Sequence, residues 1–314
     1  MDAETAGKLI RTSRRKNAVK RMKKHWELYL VMLPPLVYVI VFKYLPMYGV
    51  QLAFKNFNLA EGILGSPWCG LQHFKEFFSS YEFSRLLLNT LGISLYSLAA
   101  GILPPIILAI GLNYVTNKAF GKTVQMVTYM PHFISTAILV SIMYQILSPS
   151  GVVNKAIEAL GGQAVYFMGT AGMFKSLYVW SGIWQGTGYS AIIYLAALSS
   201  INPELYEAAE TDGASIWQRI IHIDIPGILP TAIILLILGC GKALDVGYEK
   251  VYLMQNNLNT STSEVISTYV YKIGLVSMQY SYSTAINLFQ SVISLFLVVL
   301  VNGISKRVSE TSLW

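Results

Sequence analysis

Charged residues are scarce in this sequence. Asp, Glu, Lys and Arg make up only 12% of its 314 residues, whereas an ordinary soluble domain carries about 25%. Hydrophobic residues make up 54%, and the mean hydropathy is +0.50. This composition excludes an ordinary soluble protein and predicts an all-α, polytopic membrane protein.

Cysteine and clustered histidine are also nearly absent. Cys69 and Cys240 are the two cysteines and lie in distant segments, which excludes a disulfide framework. The four histidines are far apart and lack metal-ligand spacing. Gly121-Lys122-Thr123 has Thr116 where a phosphate-binding loop needs its first glycine. With no Ser-His-Asp set or paired carboxylates either, we expect no catalytic residues, no metal site and no cofactor in this chain.

Long apolar runs are abundant by contrast. A helix needs about 20 apolar residues to cross a bilayer. Six stretches meet this length, with boundaries uncertain by several residues: roughly 28–49, 86–114, 124–147, 171–197, 227–247 and 284–304. The sequence therefore predicts six transmembrane helices.

The basic residues set the orientation. Residues 1–25 form an arm with nine Lys and Arg, and cytoplasmic segments next to spans keep such positive charge. Six crossings then return Lys306 and Arg307 to the same side, so both termini are expected in the cytoplasm. The arm lacks interleaved aromatic residues and adjoins a span, which favours contact with anionic lipid over nucleic acid.

The segment between the fourth and fifth spans, residues 199–226, is the most informative. Asn202 can cap a helix and Pro203 can occupy its first turn, while Gly213 permits a turn with positive φ. An apolar stripe of Ile216, Trp217, Ile220 and Ile221 follows. The pattern predicts a helix, a turn and a second helix on the cytoplasmic side, with the second helix ending at Pro226. A rigid projection of this kind suits docking to another protein.

The same segment resembles the EAA loop of permease subunits of bacterial ABC importers. That loop reads EAA, three residues, Gly, nine residues, Ile-x-Leu-Pro. Here the matching residues are Glu207-Ala208-Ala209, Gly213 and Ile223-Asp224-Ile225-Pro226. The one departure, Ile225 in place of Leu, keeps the volume and the apolar character.

The wider chain is similar to the carbohydrate branch of this family. NPELYEAAETDGASIWQRI at 202–220 matches sugar importer permeases, and three further segments match the branch for oligosaccharides or polysaccharide fragments: 42–58, 65–78 and 85–94. The resemblance implies a type I ABC importer permease fold for residues 26–314, including a coupling loop at 199–226, in the bacterial cytoplasmic membrane.

The resemblance also implies partners and roles. Two related permeases form the pore, two ATPase subunits bind ATP and Mg beneath it, and an external binding protein delivers the sugar. The residues assigned to ATPase coupling are Glu207, Ala208, Ala209, Asp212, Gly213, Ile223 and Pro226. Glu207 has a second interpretation, as an acid that is simply favourable in the first turns of its helix.

Four aromatic residues of the fourth span are candidates for the substrate pathway, because sugar rings present apolar faces that stack on aromatic rings: Trp180, Trp184, Tyr189 and Tyr194. Core packing is their alternative role. Gly182 and Gly186 predict either close helix packing or a loosened helix beside the pathway. Lys242 and Asp245 could face each other on one helix near the outer end of the fifth span, either as a functional pair or simply as an interfacial pair.

The same features bear on three alternative functions. A secondary transporter or channel acting alone is disfavoured by the docking motif and by the lack of acidic residues within the spans. The same machinery for a different solute, such as a peptide or amino acid, is excluded less firmly. A scaffold for a membrane enzyme has no supporting feature.

Overall fold

The computed structural model describes residues 24–309, and helices dominate this part of the chain. The helices are α1 Trp26–Val39, α2 Gly62–Gly65, α3 Gln72–Ser79, α4 Glu82–Asn113, α5 Lys118–Tyr129, α6 Thr136–Ile146, α7 Val152–Ala159, α8 Phe174–Ser199, α9 Pro203–Thr211, α10 Ile216–Arg219, α11 Ile225–Gly241, α12 Tyr248–Met254, α13 Thr260–Ser263, α14 Ile266–Tyr271 and α15 Tyr280–Ser309. Within the described range the extended structure is a single antiparallel bridge between Lys55 and Trp68. Residues 1–23 of the predicted basic arm lie outside the described residues.

Short stretches of other helical types join or extend these helices. Wider π-helical turns occupy Ile40–Tyr44, Ile220–Asp224 and Lys272–Val276, and tighter 3₁₀ segments occupy Leu45–Phe54, Met130–Phe133, Phe167–Gly169 and Ala171–Met173. They let two long runs continue without a break: α1 extends to Phe54, and α10 continues into α11.

Four helical runs in the described part of the chain are long and apolar enough to cross a membrane: Trp26–Phe54, Glu82–Asn113, Ile216–Gly241 and Tyr280–Arg307. A bent pair made of α5 and α6 adds a fifth if it forms one span. Helix α8, with 26 residues, rises about 39 Å at 1.5 Å per residue, which exceeds the roughly 30 Å hydrocarbon core. Its glycine, serine and glutamine residues make it less apolar than the other runs. The count of six spans and the positions of the termini stay predictions.

The third predicted span, 124–147, is not one straight helix. It breaks between Phe133 and Thr136 with a bend of 100°. Pro131 lacks the N–H that a continuing helix needs, and Ser135 starts α6 by accepting a hydrogen bond from the Ile138 N–H at 3.4 Å. A proline followed by a good capping residue therefore overrides the apolar run.

Helices α4 and α8 form the centre of the fold and run in the same direction. Near their N-termini, Ile93 and Phe174 belong to one buried cluster, and nearer their C-termini Ala109 and Ala191 belong to another. Two parallel helices joined by 114–173 require the intervening chain to return to its starting side, which agrees with a crossing by the bent pair.

A third buried cluster joins the start of α4 to the C-terminal part of the chain. Phe77, Leu86, Ile266, Tyr282 and Ile286 form it. Helix α1 contributes to none of these three clusters, because none of its residues is buried within the chain.

Candidate functional site

The predicted helix of the cytoplasmic segment is present as α9. The Asn202 side-chain oxygen accepts a hydrogen bond from the Glu204 N–H at 3.1 Å, and Pro203 occupies the first turn, as the sequence predicts. Glu207 and Ala208 are exposed, while Ala209 is half-buried. Helix α9 therefore presents an acid next to a small apolar residue on its open face.

The turn after α9 depends on Gly213. Its φ of +72° lies in the left-handed region, which residues with a Cβ rarely adopt. The N–H groups of Gly213 and Ala214 bond back to the carbonyls of Glu210 and Ala209 at 3.0 and 2.8 Å. These bonds satisfy the carbonyls at the end of the helix. A Cβ at Gly213 would meet nothing within 4 Å, so conformation and not space requires glycine here.

The second half of the segment departs from the prediction at Pro226. Ser215 and Gln218 form a reciprocal capping box that starts α10, but the helix does not end at Pro226. It widens into the π turn Ile220–Asp224 and continues as α11 to Gly241. Pro226 has no N–H, and the wider turn immediately before it provides a place where a missing helical hydrogen bond is tolerated.

Two side-chain contacts tie α9 to this continuous helix. The Tyr206 hydroxyl donates a hydrogen bond to Oδ1 of Asp224 at 2.5 Å, and Asp224 is fully buried. Arg219 forms an ion pair with Glu210 and lies over the ring of Tyr114, 5.8 Å from its centroid. Burial, the hydrogen bond to Asp224 and that residue's negative charge all raise the pKa of Tyr206. The hydroxyl therefore remains a donor, and these contacts join α9 to the helix that continues into α11.

A cavity of about 380 Å³ lies between α4, α8 and α12. Its wall combines polar and apolar groups, and it is lined by Ser97, Gly101, Pro105, Tyr178, Val179, Gly182, Ile183, Gln185, Gly186, Thr187, Ser190 and Lys250. A Cβ at Gly186 would meet nothing within 4 Å, and one at Gly182 would meet only the Lys250 ammonium, at 3.3 Å. In the part of the chain that the structure describes, no neighbouring helix packs closely against either glycine, and α8 is a continuous α-helix at both positions, so the structure shows neither close helix packing nor a loosened helix there.

Close helix packing instead occurs at Gly188. A Cβ there would lie 2.1 Å from the Thr128 carbonyl oxygen of α5, closer than any real contact. Gly188 is buried. Gly188 could not be singled out from the sequence because it is one of several glycines in α8, and only the tertiary contact distinguishes it.

The four aromatic candidates do not share one surface. Trp180 and Trp184 are 54% and 53% exposed and line a separate, mostly apolar groove of about 400 Å³. Tyr189 stacks on His132, with ring centroids 4.0 Å apart. Tyr194 is buried in the cluster that contains Ala191, as expected for its alternative role in core packing.

Lys242 and Asp245 do not share a helix face, contrary to the sequence prediction. Helix α11 ends at Gly241, and the two residues lie in the following turn, where the Asp245 N–H bonds to the Lys242 carbonyl at 2.9 Å. Both line a cavity of about 270 Å³ that shares Ser97 and Tyr178 with the larger one. Gly239 and Gly241 close to the end of the apolar run are the sequence feature that accounts for the early stop.

The segment between α11 and α15 holds further candidates that the sequence analysis missed. Tyr248 and Tyr252 both contact the ring of Tyr271, with centroids 5.0 and 5.3 Å away. Lys250 lies between these tyrosines on α12 and points to Tyr178. The sequence feature that could have revealed them is a tyrosine-rich stretch after the fifth predicted span, with a lysine at its centre. Residues 24–309 contain no cluster of His, Cys, Asp and Glu that could hold a metal ion.

Comparisons with known proteins agree with this arrangement. The family model for "binding-protein-dependent transport system inner membrane component" matches residues 76–310. LplB of Bacillus subtilis (strain 168) is 42% identical, covering 95% of this chain and 93% of the relative. The polygalacturonan/rhamnogalacturonan transport system permease protein YteP of the same organism is 39% identical, covering 98% and 96%.

A solved structure is also similar. It is a bacterial ABC transporter involved in the import of the acidic polysaccharide alginate, and its matching chain superposes with a TM-score of 0.86 at 40% identity, covering 93% of this chain and 99% of that one. The same transporter type in complex with its periplasmic protein bound to an alginate pentasaccharide gives a TM-score of 0.85. The family match covers most of the chain. This protein is a member of the family of binding-protein-dependent transport system inner membrane components.

Proposed function

We propose that this chain is a transmembrane permease subunit of an ATP-driven importer for oligosaccharides or polysaccharide fragments, and that it forms half of the pore. The observation that carries the proposal is the geometry of α9. Its exposed Glu207 and Ala208 are available for a partner, while Tyr206 fixes the same helix to the buried Asp224. The names of its relatives support the substrate class.

The remaining subunits follow from this role. A second, related permease completes the pore, two ATPase subunits bind ATP and Mg on the cytoplasmic side, and an external binding protein supplies the sugar. The chain itself is non-catalytic and needs no cofactor. It lies in the bacterial cytoplasmic membrane, with both termini in the cytoplasm.

The mechanism is a two-state change biased by a ligand on a partner. Helix α9 enters a cleft on the ATPase through Glu207, Ala208 and Ala209. When ATP closes the ATPase pair, the docked helix moves, and the contact between Tyr206 and Asp224 passes the movement to α11. The turn at Asp212 and Gly213 keeps the angle between the two helices, and Ile223 and Pro226 lie where the motion enters the span.

The route for the sugar runs beside the cavity between α4, α8 and α12. Its hydroxyl and amide groups suit the hydroxyls of a sugar ring, and Tyr178 adds an aromatic face. Trp180, Trp184 and Tyr189 remain proposed pathway contacts from the same helix, on surfaces separate from this cavity, because all three expose large parts of their rings. Tyr194 keeps its proposed role only if the helices separate during transport.

The docking role is tested by Glu207→Ala and Gly213→Pro in the complete transporter. We expect each to reduce substrate-stimulated ATP hydrolysis at least tenfold, with membrane insertion unchanged. Glu158→Ala is the matched control, since Glu158 is an exposed acid on α7, in a predicted external loop. Unchanged coupling in both variants would reject the docking assignment.

Purification separates the remaining alternatives. The proposal predicts that ATPase subunits and a second permease co-purify with this chain. Isolation of a chain that transports solute alone would identify a secondary transporter. Stimulation of the intact complex by a peptide or amino acid, and not by any sugar, would assign the same machinery to another solute.

A further inference from the structure

Lys250 places a positive charge at the wall of the cavity between α4, α8 and α12. Its ammonium Nζ donates a hydrogen bond to the Tyr178 carbonyl at 2.9 Å and lies 4.7 Å from the centroid of the Tyr178 ring. A side chain at position 182 would approach Nζ to 3.3 Å, so Gly182 makes room for the ammonium. The amine is thus held at a defined point of the cavity and is not a free surface charge.

The cavity provides this cation with no anion. None of the residues that line it is acidic, and none of the ion pairs formed within residues 24–309 includes Lys250. An ammonium has three donors, and the Tyr178 carbonyl accepts one. Burial lowers the pKa of Lys250 to about 8, which leaves the amine mostly protonated at neutral pH and favours binding of an anion.

Three other partly buried cations, Arg85, Lys272 and Lys55, are better satisfied. Arg85 and Lys272 share the buried carboxylate of Glu264, each at 2.7 Å. Lys55 donates to two backbone carbonyls, at 2.8 and 3.1 Å. Lys250 differs from all three because its neighbours are one carbonyl, one aromatic face and an open cavity.

The rest of the wall suits a sugar ring. Ser97, Thr187 and Ser190 bring hydroxyl groups, and Gln185 brings an amide. The volume of about 380 Å³ lies within the range of roughly 300–1,000 Å³ found for small-molecule sites. Hydroxyl groups around one cation match a ring that carries hydroxyls and one negative charge.

We propose that this cavity is a subsite for a carboxylated sugar residue, with the sugar carboxylate bound by the Lys250 ammonium. The inference rests on the proposed function, since it concerns the solute that the pore carries. A single lysine balances the single charge of a carboxylate, and hydrogen bonds between two charged groups are about twice as strong as neutral ones. A phosphorylated sugar offers related chemistry, but its second charge would stay unbalanced here.

The test measures equilibrium binding to the assembled permease and ATPase complex without its binding protein, so that the permeases alone select the ligand. The probes are trigalacturonate and trimannuronate, the methyl ester of each as a neutral form of the same shape, and glucose 6-phosphate. We expect both Lys250→Gln and Lys250→Met to weaken binding of a uronate trimer at least tenfold and to leave binding of its methyl ester within twofold. Lys250→Arg should retain most of the uronate affinity.

Lys155→Gln is the control, because Lys155 is an exposed lysine on α7 outside the cavity, and it should change nothing. Co-purification with the ATPase checks that each variant is folded. Equal loss of acid and ester would mean that Lys250 only packs α12 on α8, and this would overturn the proposal. So would unchanged uronate binding in the neutral variants, no binding of either uronate by the wild type, or Lys250-dependent binding of glucose 6-phosphate alone. None of these results affects the ATPase coupling test, which stands or fails separately.

Discussion

The hydroxyl of Tyr206 donates a hydrogen bond of 2.5 Å to Asp224, 18 residues further along the chain, and so joins α9 to the helix that continues into the fifth predicted span. Tyr206 belongs to α9, and Asp224 is fully buried immediately before the start of α11. Breaking this hydrogen bond is costly, because a buried carboxylate oxygen without a donor has lost its water and gained nothing in exchange.

Tyr206→Phe should therefore weaken the link while leaving the docking face intact. Loss of the hydroxyl leaves the buried Asp224 short of a donor, at a cost of about 1–3 kcal/mol. We expect the ATPase to remain bound, but basal ATP hydrolysis should respond at least fivefold less to loaded binding protein. The same stimulation in the variant as in the wild type would show that α9 passes its motion by another contact.

Glu210→Ala provides a contrast on the same helix. Glu210 pairs with Arg219, and 62% of the Glu210 side chain is exposed, against 15% of the Arg219 side chain. Ion pairs with a solvent-exposed partner contribute about 1 kcal/mol or less. We expect a change below twofold in stimulated ATP hydrolysis. A loss as large as that of Tyr206→Phe would instead assign the rigid link to the ion pair.

Glu264 should be important for stability. Its carboxylate is 9% exposed and binds both Arg85 and Lys272 at 2.7 Å, and Lys272 also donates to Gln255. Removal of one partner from a buried ionic network costs about 3–5 kcal/mol. Glu264→Gln should lower the Tm of the purified complex by several degrees, and Glu82→Gln, which removes a more exposed partner of Arg85, should lower it less. Equal Tm values in the two variants would argue against a buried network.

Two glycines of α8 make a matched pair. Gly188→Ala would place a Cβ 2.1 Å from the Thr128 carbonyl, whereas Gly186→Ala would place one in open space. We expect Gly188→Ala to reduce the yield of folded protein severalfold and Gly186→Ala to leave it unchanged. Fluorescence size-exclusion chromatography of tagged variants measures this. Equal yields would mean that α5 can move away from α8 at little cost.

The parts of the fold that depend on neighbouring residues in sequence could be predicted well. Asn202, Pro203 and Gly213 specify the start and end of α9 through caps and backbone conformation, and each acts within a few residues. The all-α membrane class could also be predicted, because it depends on composition and on the length of the apolar runs, and not on contacts between distant residues.

The parts that depend on tertiary contacts or on hydrogen-bond register could not be predicted. Pro226 is normally read as a helix end, yet the π turn before it lets the helix continue. Pro131 lay inside an apolar run of spanning length, but it bends the chain by 100°. Gly188 and Lys250 gained their roles from contacts with Thr128 and Tyr178, which are distant in sequence.

The central claim is that α9 docks into an ATPase, and site-specific cross-linking tests it most directly. A photoreactive amino acid replaces Ala208, an exposed residue of α9, and in a second sample it replaces Val152, which is 72% exposed on α7. Mass spectrometry identifies the cross-linked partner in the intact complex. The account predicts an ATPase cross-link from position 208 and none from position 152. Cross-links from position 208 to lipid alone, in a complex that retains its ATPase, would contradict it.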